Sequence, residues 1–249
     1  MTTGVNLPSP YKLLSYDSID STNEEAKRLA ADGAPEGIVV WAREQTAGRG
    51  RRGREWVSKA GNLYCSLLLR PNCHAFKAMQ LSFIASLAMA DTAASVLPKG
   101  TFVNCKWPND VLVEGRKISG ILLESKTVPL GGMDWLVIGV GLNIKHYPED
   151  VEFPATSLDR EGAKDVTPEI LLENFTRRFL AGYVTWKNLG FQPTRKAWLR
   201  RAAWLGQEIT VRLERETLKG EFKALDKDGA LILLHEGNER RITAGDVFV

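Results

Sequence analysis

Residues 43–54, REQTAGRGRRGR, hold five arginines and one acid, a local charge of +4 in a chain whose net charge is +3. Glycines at 48, 50 and 53 are interleaved with them. Glycine accepts positive φ and lets backbone amides come close to a ligand. Arginine adds a planar, permanently charged fork that matches phosphate and carboxylate oxygens. Such a loop suits an anion and should repel itself when empty. The same residues also fit a solvated surface loop or a nucleic-acid patch, and the loop alone does not choose between them.

Three other polar groups share this half of the chain: Ser21-Thr22-Asn23, the KWPND run from Lys106 to Asp110, and Lys117 ahead of Ser119-Gly120. Taken singly they are ordinary. Helix capping accounts for a residue of the first, turn chemistry for Asn109 and Asp110, and solvation for the lysines. Together with the Arg/Gly loop they describe a site that neutralises a polyanion and holds a carboxylate beside it, as activation of an acid by ATP requires. No P-loop sequence is present. The GVG at 139–141 leads into LNI rather than a helix, so it is not a Rossmann dinucleotide loop.

The elements that must carry these groups are legible from pattern. Residues 1–14 read as a lead-in, and the following segment as a helix. That helix has capping-box spacing at Ser21 and Glu24, an apolar face of Ala26, Leu29 and Ala30, and Gly33 as its stop. GIVVWARE (37–44) reads as a buried strand that runs straight into the Arg/Gly loop. A strand follows at 62–70, then a buried helix from Ala75 to Leu97, stopped by Pro98 and Gly100. FVNCKWPNDVLV predicts strand, turn, strand, and EGRK a tight hairpin into KISGILLESK. Another strand is predicted at 134–145 and a loop over 148–166. Thr167-Pro168 opens a helix to about Leu189, and a second helix lies near 194–203. Beyond Leu205 the pattern changes to short strands with a DKDG hairpin turn at 226–229.

Bulk properties narrow the class. The chain has 249 residues, 44% of them hydrophobic and 25% charged, an ordinary globular composition with material for one or two domains. Cys65, Cys73 and Cys105 form no CxxC pair, and His74, His146 and His235 lack metal spacing, so no zinc site is expected. Cys65 and Cys105 sit in apolar runs and read as buried thiols of a reducing cytosol. No signal peptide or membrane span is legible, and a cytoplasmic protein with no membrane partner is expected. The last 46 residues, 204–249, carry seven basic and nine acidic side chains, against 26 and 21 in residues 1–203. This tail reads as a small β-barrel domain, neither basic nor aromatic enough to bind nucleic acid.

DSTN at 20–23, QTAGRGRRGREW at 45–56, KWPNDV at 106–111, GRKISGILLE at 115–124 and VIGVGLNI at 137–144 resemble, in order, the motifs of biotin protein ligases, the biotin–acetyl-CoA-carboxylase ligase family. The resemblance implies an α+β protein. Residues 1–203 would form a mixed-sheet catalytic domain of the biotin/lipoate ligase, class II synthetase-like type, and residues 204–249 an SH3-like β-barrel. It implies two steps, with ATP and Mg²⁺ as co-substrate. Biotin's carboxylate attacks the α-phosphate to give biotinyl-5′-AMP and pyrophosphate. A lysine of a biotin carboxyl carrier domain then attacks the adenylate and releases AMP.

Carried over by motif, Ser21, Thr22, Asn23, Gln45, Gly48, Arg49, Gly50, Arg51, Lys117 and Gly120 would bind biotin. Arg49, Arg51, Arg54, Trp56, Lys106, Asn109, Lys117 and Asn143 would bind the nucleotide. Lys117 and Arg49 would serve catalysis, and Asp110 would either orient the incoming lysine or bind Mg²⁺; no metal site of the protein's own is implied. Bifunctional relatives carry an N-terminal DNA-binding domain. About 15 residues precede the first motif here, so neither a repressor function nor a DNA partner is expected. Residues 145–166 contain no tryptophan to stack on adenine, unlike some relatives. Monomer and homodimer both fit such a chain. The rivals are a lipoate ligase or octanoyltransferase on the same fold, a nucleic-acid-binding module built on the RGRRGR loop, and a biotin sensor without turnover.

Overall fold

The computed structural model describes residues 4–149 and 151–249. In chain order the elements are β1 (Lys12–Ile19), α1 (Thr22–Ala31), β2 (Ile38–Gln45), β3 (Leu63–Leu69), α2 (Ala75–Ala78) and α3 (Leu81–Ala94). β4 (Val103–Lys106), β5 (Asp110–Val113), β6 (Arg116–Thr127) and β7 (Met133–Leu142) follow, then α4 (Pro168–Leu189) and α5 (Gln192–Arg200). The tail forms β8 (Glu208–Arg212), β9 (Thr217–Leu225), β10 (Leu231–His235), β11 (Asn238–Ile242) and β12 (Asp246–Phe248).

Seven strands make one mixed sheet in the order β1-β2-β3-β7-β6-β5-β4. β1 and β2 run parallel, joined by α1, and every other neighbour is antiparallel. The period-two alternation of the central strands divides its two faces. Leu63, Cys65, Leu67 and Leu69 of β3 point with Leu136, Ile138, Val140 and Leu142 of β7 into the main core. That core is covered by α3, which is apolar all round because the sheet, α4 and α5 surround it. The indole N–H of Trp186 donates to Gln80 Oε1 at 2.8 Å, and that of Trp198 to Ser86 Oγ at 3.1 Å, so both buried indoles are satisfied.

On the other face, Ala26 and Ala30 of α1 pack on Val40, Leu68 and Val137. Further along this face β3 presents Ser66, and β7 continues as Gly139 and Gly141. A β-carbon on Gly139 would collide with the Asn23 amide, and one on Gly141 would lie 2.5 Å from the Trp56 indole. These two glycines therefore keep the sheet low where α1 ends and the Arg/Gly loop crosses it.

The tail is a five-stranded antiparallel sheet, β11-β10-β9-β8-β12. It docks through the Asp226–Gly229 turn: Gly229 has φ 96° and lies against Phe83, while its carbonyl accepts the Trp107 indole N–H at 3.0 Å. Arg195 Nε donates to Leu225 O at 2.8 Å. Cys65 and Cys105 are free thiols, and burial pushes both up to about 12.

Several expectations change. Residues 12–19 are a strand, not lead-in and helix; β1 is an edge strand, and its half-exposed side chains hide the alternation. The helix expected over Ala75–Leu97 breaks into α2 and α3 at Met79–Gln80. Ser21 stands at the N-cap of α1 but makes no capping bond, and Glu24 pairs with Lys27 and Arg49 instead of closing a capping box. Thr167 does cap α4, accepting the Ile170 N–H. The final run RRITAGDVFV is two strands, divided at residues 243–245.

Candidate functional site

A cavity of about 610 Å³ opens where α1, the Arg/Gly loop, the β4–β5 turn, β6 and the end of β7 meet. Every residue assigned a biotin-binding, nucleotide-binding or catalytic place from the motifs, except Gly48, lines it. Gly48 stands just behind, where a β-carbon would collide with Ser58 Oγ and the Trp56 carbonyl. Its own carbonyl accepts the Trp56 N–H at 3.0 Å, so it shapes the loop that presents that ring.

One end of the cavity is a neutral hydrogen-bonding pocket. Gln45, the last residue of β2, accepts through Oε1 from the Thr22 backbone N–H (2.8 Å) and hydroxyl (3.1 Å), and donates through Nε2 to Ser58 Oγ (2.8 Å). The Ser66 hydroxyl donates to Asn23 Oδ1 at 2.6 Å and lies 2.8 Å from Thr22 Oγ1. Asn23 Nδ2 donates to Glu124 Oε2 at 2.8 Å. Ser21, Thr22 and Asn23 are all buried. Ser21, free of capping, faces the same pocket. Chained bonds of this kind fix side-chain orientation, which is what selective recognition of a polar head group needs.

The floor is apolar and flat. Trp56 lies over Gly120 and Gly141, with the Lys117 ammonium 5.5 Å from its ring centre. At either glycine a larger residue would push the indole off the sheet.

The far end is cationic. Lys117 on β6 places Nζ 2.6 Å from Asp110 Oδ1, and Lys106 places its ammonium 3.8 Å from the other carboxylate oxygen. Lys106 is 4% exposed, with Nζ 3.2 Å from the centre of the Phe153 ring. Burial brings its pKa down to about 8, with Asp110 opposing and Lys117 adding to the shift. Asn109 donates to the Ile121 carbonyl at 2.5 Å and accepts from Arg51 Nη1 at 3.0 Å, tying the turn to the loop. Asn143 is buried and donates to the Thr156 carbonyl at 3.0 Å, holding the strand end against residues 154–156.

The loop is not left unneutralised. Arg49, expected over the substrate, pairs with Glu24 and Glu124 at the α1 side of the cavity. Burial works to raise the Glu124 carboxyl, but bonds from Asn23 and Lys27 and the nearby Lys27 and Arg49 charges hold it below the usual carboxylate range. Arg51, Arg52 and Arg54 converge on Asp246 of the tail. The acids that balance the loop come from positions 24, 124 and 246, so a local charge count does not find them.

Other residues were also out of reach of sequence reasoning. Asn62 accepts the backbone N–H groups of Ile144, Lys145 and His146 at 2.9, 2.9 and 3.0 Å and so bends the chain after β7 over the cavity. That segment brings Tyr147 and Phe153 to the wall, and Phe153 stacks on Phe248 at 4.4 Å. An aromatic in an irregular polar stretch gives no periodic signal. Among the described residues no group of three or more His, Cys, Asp or Glu side chains could hold a metal ion, and no helix is long and apolar enough to cross a membrane.

Comparison with known proteins bears on this geometry. The biotin/lipoate A/B protein ligase family matches residues 15–143, and the biotin protein ligase C-terminal domain matches residues 204–249. A biotin–acetyl-CoA-carboxylase ligase of Paracoccus denitrificans is 42% identical over 92% of this chain and 97% of its own length. One of Mycobacterium tuberculosis is 34% identical, covering 91% of this chain and 85% of the relative. Among solved structures, the biotin protein ligase of Aquifex aeolicus in complex with biotin and ATP superposes with a TM-score of 0.80 at 28% identity, covering 95% of this chain and 97% of that one.

Proposed function

The chain belongs to the biotin/lipoate A/B protein ligase family, and from that premise we propose that it activates biotin as biotinyl-5′-AMP and transfers it to a lysine of a biotin carboxyl carrier domain of acetyl-CoA carboxylase type. It is a biotin protein ligase, with ATP and biotin as substrates. The observation that carries the finer reading is the polarity of the cavity. A neutral pocket around Thr22 and Gln45 and a cationic end around Lys106, Lys117 and Arg51 face one another across a glycine floor.

Biotin's ureido ring suits the pocket of Ser21, Thr22, Asn23 and Gln45, and its apolar bicycle suits the space beside Trp56, Gly120 and Gly141. Its carboxylate then reaches Lys117. The nucleotide's phosphates suit Arg51, Arg54 and Lys106, with Asn109 and Asn143 at its edges. Gly50 allows the loop backbone to approach, and Arg49 leaves its glutamates to close on the carboxylate and α-phosphate. A biotin carboxylate oxygen attacks the α-phosphorus and pyrophosphate leaves. The acceptor lysine's amine then attacks the acyl carbon, expelling AMP.

Neither step needs a covalent enzyme intermediate. Alignment of the reactants and fixed positive charge where the transition state gains negative charge carry the rate. Lys117 supplies that charge in both steps, and Asp110, held between two lysines, receives or orients the incoming amine. Magnesium arrives on the phosphate oxygens as part of the nucleotide substrate.

The test is exchange of labelled pyrophosphate into ATP, with biotin, lipoate or octanoate as the acid. Exchange with biotin alone, followed by labelling of one carrier-domain lysine, is expected. Exchange only with lipoate or octanoate would move the substrate to the sister branch of the family. No exchange with any acid would remove the enzymatic reading.

A further inference from the structure

Asp246 opens β12, and its backbone partner across the tail sheet is Arg212. Arg212 turns away to Glu152 at 2.6 Å. The Asp246 carboxylate instead leaves its own sheet and enters the Arg/Gly loop. It lies 3.1 Å from Arg52 Nη1, 3.2 Å from Arg54 Nη2 and 3.8 Å from Arg51 Nη1, with a side chain only 13% exposed. It also forms part of the cavity wall, and its charge acts on Lys106 within.

A second observation concerns the loop's backbone. Arg52 sits in the short 3-10 turn Arg51–Gly53 with φ 56° and ψ 35°, the left-handed region that a residue other than Gly, Asn or Asp rarely enters. Its side chain bonds only to Asp246 among the described contacts. The strained turn and the ion pair belong to one arrangement, in which three guanidinium groups are drawn to a single point at the mouth of the cavity.

One carboxylate cannot neutralise three arginines. The cluster keeps a surplus of two positive charges and stays attractive to a larger anion. The arginines are 23–51% exposed, where ion pairs hold weakly and exchange readily. We propose that Asp246 is the resident counter-ion of a polyphosphate cradle: it holds Arg51, Arg52 and Arg54 in place at the cavity, and the triphosphate of the nucleotide takes its place on them. Naming the nucleotide rests on the ligase reading above; the cradle and its counter-ion do not. The tail sheet thereby acts on the nucleotide through charge, in addition to closing the core at Gly229.

The test uses the full chain and inorganic tripolyphosphate as the probe. Its dissociation constant is measured by calorimetry at fixed ionic strength, and tryptic cleavage after Arg51 and Arg54 is timed in the ligand-free protein. Asp246→Asn keeps the shape and removes the competing charge. It should tighten tripolyphosphate at least threefold and accelerate cleavage of the loop. Asp246→Glu should behave as the parent in both assays. Unchanged or weaker tripolyphosphate binding in Asp246→Asn, or an unchanged cleavage rate, overturns the proposal. Should circular dichroism show Asp246→Asn unfolded, Arg52→Gln takes its place. Faster cutting after Arg54 is then expected, and an unchanged rate refutes the ion pair's role. Failure of the ligase reading would show separately, as absent biotin-dependent pyrophosphate exchange in the parent protein alongside intact tripolyphosphate binding.

Discussion

Lys117 and Asp110 form a 2.6 Å ion pair across the cationic end of the cavity, and Lys106 stands 3.8 Å from the other oxygen of the same carboxylate. Asp110, at the start of β5, thus holds two ammonium groups at fixed places on the strands that flank it, β4 and β6. Removing Lys117 leaves Asp110 with Lys106 as its partner, so no buried carboxylate is stranded and the fold should survive. Lys117→Ala should keep its far-ultraviolet circular dichroism and lose about 10²–10³ in the rate of biotin-dependent pyrophosphate exchange, the usual effect of deleting one preorganised charge. A parental rate would show that this lysine is not the group opposite the developing charge.

Lys106 makes the site sensitive to pH. Burial beside Phe153 lowers its pKa from 10.5 to about 8, with Asp110 and Asp246 opposing the shift and Lys117 and Arg54 reinforcing it. Below pH 8 it is a cation facing the phosphates; above, it is neutral. The KM for ATP should therefore rise as pH passes about 8, and Lys106→Arg, charged throughout, should flatten that rise. Stability moves the other way. Between about 8 and 10.5 the unfolded chain holds the extra proton, so this residue's contribution to unfolding free energy increases with pH across that window. Steady-state kinetics from pH 6.5 to 9.5 check the first statement, and urea titrations at pH 8 and 10 the second.

Gly141 gives a steric prediction. The methyl group of Gly141→Ala would meet the Trp56 indole at 2.5 Å. The sheet beneath is rigid, so the ring must yield. Overpacking of this kind costs about 1–3 kcal/mol. Since the indole borders the proposed biotin slot, calorimetry should find biotin bound at least tenfold more weakly, with tripolyphosphate affinity unchanged. Equal weakening of both ligands would place the two subsites together rather than at opposite ends.

These cases also mark what the sequence made legible. KWPND, the Arg/Gly loop and Lys117 stood out because charged and glycine residues were concentrated at predicted turns and strand ends, and the fold does bring them to one cavity. β1 was hidden because an edge strand paired on one side carries little apolar alternation. Glu24, Glu124 and Asp246, which pair with the arginines, were invisible because pairing across 25 to nearly 200 positions leaves no local trace. In the sequence Gly139 and Gly141 lack the context of a dinucleotide loop and stand out only through the VIGVGLNI resemblance. Their reason is spatial: the face opposite the main core must stay flat beneath Asn23 and Trp56.

Phe153 carries the last prediction. The sequence offered no tryptophan after β7 for an adenine ring, yet the chain bent by Asn62 brings a phenylalanine to the cavity wall. Its ring stacks on Phe248 at 4.4 Å, with an interplanar angle of 21°, and covers the Lys106 ammonium at 3.2 Å. Both faces of the ring are taken, one by the second aromatic and one by the ammonium, so the ring meets a planar base edge-on. Phe153→Leu retains bulk but removes the aromatic edge. It should raise the KM for ATP about fivefold to tenfold, consistent with the ~0.5–1.5 kcal/mol of an edge-to-face aromatic pair, while biotin and tripolyphosphate bind as before. An unaltered ATP KM would assign the adenine to another wall of the cavity, with Tyr147 the next side chain to replace.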